Sequence, residues 1–136
     1  MRDSSGHGAA LSAISRRIVG LHKEYYGKGP NKARTYYVDD LVVVMLGGGY
    51  TKVEETLMRE GKTKSVMDQR HEWQQVMINR FRTVVEEEIK REVIAFISGT
   101  HQDPDLNAEL FVLAPRDGSE EGRNWDGDDS SSVSED

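Results

Sequence analysis

Ala33-Arg-Thr-Tyr-Tyr-Val-Asp-Asp-Leu-Val-Val-Val-Met-Leu46 is the stretch on which the fold turns. It is dense in Tyr, Val and Leu, residues that suit the pleated, half-buried surface of a sheet. A pair of acids, Asp39-Asp40, splits it into two apolar runs. Two strands, 33–38 and 41–46, joined by a tight hairpin turn are the simplest reading. Asp-Asp is less favourable at such a turn than Asn-Gly, so a single bent strand is the alternative. The run Leu41–Leu46 has no polar face, which predicts a central strand covered on both sides.

Upstream, Leu11, Ile14, Ile18, Leu21 and Tyr25 recur every three or four residues, the spacing of one helical face. This predicts a first helix from about Ala9 to Tyr26, with Ser12, Arg16, Arg17 and Lys23 toward water. Gly27-Lys-Gly-Pro30 stops it, because glycine accepts a left-handed cap and proline has no N–H to give.

Downstream, Gly47-Gly-Gly49 ends the sheet segment and Thr51 with Glu54 forms a capping-box pattern. The second helix is expected over Lys52–Glu60, with Val53 and Leu57 inward and Gly61 ending it. A long third helix, about Ser65 to Arg91, places Trp73, Met77, Phe81, Val84 or Val85, and Ile89 on its apolar face. Val93–Gly99 and Leu106–Ala114 then read as a second antiparallel pair around Thr100-His-Gln-Asp-Pro-Asp105.

The order is α-β-β-α-α-β-β: an α+β, two-layer domain with a four-stranded antiparallel sheet and three helices. Its expected bounds are 9–115, between a flexible polar N-terminus (1–8) and a disordered acidic tail (116–136). Arg116–Asp136 holds eight acids and two arginines; removing these from the totals of 24 acids and 18 bases leaves 16 of each. All the excess negative charge therefore sits in the tail, and the electrically balanced domain lacks the basic bias of a nucleic-acid binder. The absence of cysteine excludes disulfides and thiolate metal sites and fits a reducing compartment. The longest apolar run is six residues, against about 20 for a membrane-spanning helix. The N-terminus lacks the apolar stretch of a signal peptide. A cytoplasmic chain without direct membrane insertion is the expectation.

Four constellations bear on chemistry. Lys28-Gly-Pro-Asn-Lys-Ala-Arg34 brings three cations, Lys28, Lys32 and Arg34, to a glycine-bearing turn that could hold a small anion or nucleotide by charge-assisted hydrogen bonds; the plainer reading is a helix stop with solvated cations. His101, Asp103 and Asp105 are suitable ligand types for a divalent metal, but Asp-Pro reads more simply as a turn, and no metal site is assigned. Arg70-His-Glu72 lies on a helix, where adjacent side chains diverge, so a solvated face is expected. Gly61-Lys-Thr-Lys64 sits where a KH-type module has its GxxG clamp, with Lys64 in place of the second glycine; a plain helix–helix connection is the alternative. No HExxH, GxSxG or Walker pattern occurs.

The segments from the first helix to Leu113 resemble the MpsC-like family of bacterial proteins. The residues that carry the resemblance are Gly27-Lys-Gly-Pro30, Ala33–Leu41, Thr51-Lys-Val-Glu-Glu-Thr-Leu57, Arg70, His101-Gln-Asp-Pro-Asp-Leu106 and Glu109-Leu-Phe-Val-Leu113. Lys90-Arg91 departs from the Gly-Arg-like junction expected before the strand. The resemblance implies a link to a sodium-translocating system that generates membrane potential, hence a membrane-protein partner. It brings no catalytic residues and no cofactor.

The expectation is a non-enzymatic accessory or regulatory protein acting as a homo-oligomer, with a homodimer favoured because one sheet need not cover both its faces. The alternatives are a sensor of a small anion or nucleotide through Lys28, Lys32 and Arg34, and KH-like nucleic-acid binding through Gly61–Lys64.

Overall fold

The computed structural model describes residues 5–116. The polar residues 1–4 and the acidic segment 117–136 lie outside the described residues. A single 3-10 turn, Ser5–His7, leads into α1 (Gly8–Tyr26). Then follow β1 (Lys32–Val38), β2 (Leu41–Gly47), α2 (Lys52–Arg59), α3 (Thr63–Ile89), β3 (Val93–His101) and β4 (Leu106–Leu113). The expected α-β-β-α-α-β-β order holds.

β1 and β2 form the hairpin read from Asp39-Asp40: Val38 pairs with Leu41, and Asp39 takes the left-handed φ of 53° that aspartate tolerates. Every neighbouring pair of strands is antiparallel, in the spatial order β1-β2-β4-β3. Pairing is in register except for a bulge in β3 between Val93 and Ala95.

The helices cover one face of this sheet. Alternation along β2 sends Val42, Val44 and Leu46 inward, and along β4 sends Phe111 and Leu113 inward. They meet Ile14 and Ile18 of α1 and Met77, Phe81, Val85 and Ile89 of α3 in one buried cluster. Among the described residues no helix lies on the opposite face. Tyr36, Ile97 and Leu106 are 43%, 57% and 36% exposed there, and Val43, Met45, Leu110 and Val112 are only partly covered. Among the described residues, the double-sided cover expected for Leu41–Leu46 is thus supplied on one side only.

Several faces differ from the apolar pattern. On α1 the buried position one turn past Ile18 is His22, while Tyr25 is 45% exposed. The ring of His22 sits against Trp73 and Phe81, which makes it part of the aromatic core. On α2, Val53 faces out and the inward residue is Glu54. Arg17, expected to face water, reaches Glu87 and Glu88 of α3 at 2.7 and 3.0 Å.

α3 ends at Ile89, two residues short of the expected Arg91. Lys90 adopts φ 64°, the left-handed cap conformation more often taken by glycine, and its N–H bonds Glu86 O. Arg91 then reaches the Asp40 carboxylate at 2.7 Å, the Tyr37 hydroxyl at 3.0 Å and the Ala114 carbonyl at 2.7 Å. It fastens the β1–β2 turn to the end of β4.

Candidate functional site

The capping box of α2 builds the first part of the site. Thr51 Oγ1 accepts the Glu54 N–H at 3.1 Å, and Glu54 Oε1 accepts the Thr51 N–H at 2.8 Å. The reciprocal bond turns the carboxylate back into the protein, where it is fully covered. From α3, Arg70 meets it side-on: Nε donates to Oε2 at 2.9 Å and Nη2 to Oε1 at 3.0 Å, the bidentate geometry that suits guanidinium and carboxylate. The Tyr26 hydroxyl, at the end of α1, also donates to Oε2.

Glu54 therefore accepts four hydrogen bonds, the full capacity of a carboxylate. Burial opposes its ionisation, but the bonds from Arg70, Tyr26 and Thr51 outweigh burial and hold it below the usual carboxylate range.

Arg70 is equally engaged. Nη2 also donates to the Gly49 carbonyl at 3.3 Å, Nη1 contacts Asp105 Oδ1 at 3.4 Å, and the guanidinium lies 4.3 Å from the Tyr50 ring centre. The sequence reading put Arg70 on a solvated face; the structure buries it. The reason is Glu54, sixteen residues earlier, which supplies the charge that makes burial of a guanidinium tolerable. One cluster thereby holds α1, the Gly49-Tyr50 loop, α2, α3 and the start of β4. Gly49 is required at its position: its φ is 107°, and a Cβ would lie 3.1 Å from Pro30 Cα and 3.2 Å from Gly29 O.

One turn further along α3, Gln74 Nε2 donates to Glu109 Oε2 at 3.4 Å while Ser98 Oγ donates to Gln74 Oε1 at 2.8 Å. Glu109 has no exposed surface, and burial, only partly offset by the neighbouring Ser98 side chain, pushes its carboxyl up to about 7. Asp105, Asn107 and Glu109 alternate, so they share the inner face of the sheet. Asp105 Oδ2, Asn107 Oδ1 and Glu109 Oε1 each lack a hydrogen-bond partner. This row of acceptors suits hydrogen-bond donors rather than anions.

A narrow cleft of about 20 Å³ opens beside it, lined by His22, Lys28, Leu46, Arg70, Trp73 and Asn107 among others. That is room for one or two waters, not for a nucleotide. Burial lowers the pKa of His22, and its Nδ1–H donates to the Ile18 carbonyl at 2.9 Å, so the ring enters this wall neutral.

The three cations singled out in the sequence are divided between two surfaces. Lys28 lines the cleft and donates to the Tyr50 carbonyl at 3.1 Å. Lys32 and Arg34 are two apart on β1 and sit on the open face of the sheet, opposite Gly47 and Met45. His101 Nδ1 donates to the Pro104 carbonyl within its own turn, and Asp105 faces Arg70. No group of three His, Cys, Asp or Glu among the described residues is placed to hold a metal ion. At the helix–helix junction Gly61 is left-handed, and Lys64 pairs with Asp68 at 2.7 Å on the surface of α3.

Of the residues that converge on this cluster, Thr51, Glu54, Arg70 and Asp105 lie in the stretches that carried the family resemblance. Residues 7–115 match the family described as Na+-translocating membrane potential-generating system (MpsC). The chain belongs to the MpsC family. Comparison with curated proteins and with solved structures gave no match. Among the described residues of this MpsC chain, no helix is long and apolar enough to cross a membrane.

Sequence reasoning missed Glu54 and Arg70 as partners, and Gln74 and Glu109 as a buried polar pair. The available signal was Glu54 in the capping box: a carboxylate drawn back toward its own N-terminus can face the core.

Proposed function

We propose that this chain is a non-enzymatic accessory or regulatory protein of a membrane ion-transport system, acting as a homo-oligomer through protein contacts. The observation that carries the reading is the Glu54–Arg70 cluster. Its carboxylate has every acceptor position filled and its guanidinium is held by three segments, so neither group is free to bind or convert a substrate. The cluster instead braces a small domain, as a protein working through its surfaces requires. The family description supplies the association with sodium and membrane potential.

The test is deletion of the chain in its native cell, with membrane potential followed by a voltage-sensitive dye and contacts mapped by in-cell crosslinking. Loss of potential together with crosslinks to membrane-spanning transport subunits is the expected result. An unchanged potential and sodium gradient, with no crosslink to any membrane protein, overturns the reading.

A further inference from the structure

We propose that a second copy of this chain packs on the open face of the sheet, so that the two sheets meet face to face across a two-fold axis. The proposal deepens the homo-oligomer part of the functional reading and rests on it.

Apolar side chains from all four strands meet at the middle of this face. Its outward positions include Tyr36 on β1, Val43 and Met45 on β2, Leu110 on β4 and Ile97 on β3, joined by cross-strand pairs Tyr36–Val43, Val43–Leu110 and Leu110–Ile97. Four strands spaced about 4.8 Å and seven residues rising about 3.4 Å each give a footprint of roughly 450 Å². This whole-face footprint, basic corner included, is of the size of the largest patch on a typical monomer, about 300–600 Å², which is often a functional surface. Two such footprints total about 900 Å² in projection, and side-chain relief raises this toward the 1,000 Å² or more expected of a stable interface.

Charge placement favours a second copy over another partner. The cations of this face, Lys32 and Arg34, occupy one corner, at the start of β1. The neighbouring corners end in turns that carry acids: Asp39 at the far end of β1, and Asp103 in the β3–β4 turn. A two-fold axis along the strands brings the basic corner of one copy over the β3–β4 turn of the other. An axis across the strands brings it over the β1–β2 turn. Either closed arrangement brings the basic corner toward a turn that carries an acid, the complementarity an isologous interface uses. The chain's own residues 117–136 are a poor cover, because Trp125 and Val133 are their only large apolar side chains.

The absence of cysteine makes the test direct. The full chain of 15.3 kDa is examined by analytical ultracentrifugation, and Val43→Cys, near the centre of the face, is oxidised alongside Val53→Cys, exposed on α2. A dimer in solution, with a disulfide-linked dimer from Val43→Cys and none from Val53→Cys, is the expected outcome. Ile97→Glu, at an exposed edge-strand position, then yields a monomer that retains the wild-type circular dichroism spectrum. A wild-type monomer overturns both the interface and the homo-oligomer reading. A wild-type dimer that neither crosslinks at Val43 nor responds to Ile97→Glu overturns the interface alone and leaves that reading standing.

Discussion

Replacing Glu109 by glutamine removes a buried titrating group while keeping its size and one acceptor oxygen. The carboxyl has a pKa of about 7 in the folded protein against 4.5 in its absence. Between those values the native state holds a proton that the unfolded state has released, so stability falls as pH rises through this window. The interval corresponds to about 3–4 kcal/mol, at about 1.4 kcal/mol per unit. The cost is absent below pH 4.5 and complete above about pH 7. Urea denaturation of the wild type and Glu109→Gln at half-unit steps from pH 4.5 to 8 reads it out. Any fixed difference in hydrogen bonding offsets the two curves equally at all pH values, so the diagnostic is their divergence. The variant gains on the wild type by about 3 kcal/mol across the series. A difference that stays flat within about 0.5 kcal/mol shows that Glu109 does not titrate in the folded protein as its burial demands.

Arg70→Ala leaves the Glu54 carboxylate buried without its counter-charge and costs about 3–5 kcal/mol by chemical denaturation; Arg70→Lys recovers little, since an ammonium cannot make the bidentate contact. Thr51→Ala removes the cap of α2 and lowers stability by about 1 kcal/mol. Gly49→Ala destabilises by about 1–3 kcal/mol through its positive φ and the contact with Pro30. Gly20→Ala, exposed in the interior of α1 with no atom within 4 Å of the added methyl, raises stability by up to about 1 kcal/mol and lifts the melting temperature.

The elements were legible in the sequence because each carries its own local signal. Period-two and period-three-to-four patterns, the Asp39-Asp40 break and the Thr51–Glu54 box fixed all three helices and four strands to within about two residues. What failed was the assumption that apolar means inward. Val53 faces out because α2 turns Glu54 toward Arg70, and His22 displaces Tyr25 because Trp73 and Phe81 provide a wall for its ring. A buried ion pair has no signature in either partner alone; each reads as an ordinary surface charge until the fold brings two helices together. The one-sided cover of the sheet was likewise beyond a run such as Leu41–Leu46, which states that both faces are apolar but not what lies against them.

The strand order β1-β2-β4-β3 has a consequence for how the chain reaches this fold. The two outer pairings close through short turns, at Asp39-Asp40 and at 102–105, and each hairpin can form with little loss of loop entropy. The middle pairing joins Gly47 to Leu106, with α2, α3 and β3 in between. The largest loop-closure cost of folding is therefore expected at this middle pairing, the sheet contact of greatest sequence separation. Arg70 bonds both to Gly49 beside β2 and to Asp105 beside β4. Its side chain bridges the two segments that this pairing joins, so Arg70→Ala is expected to accelerate unfolding more than it retards folding, which unfolding and refolding rates check.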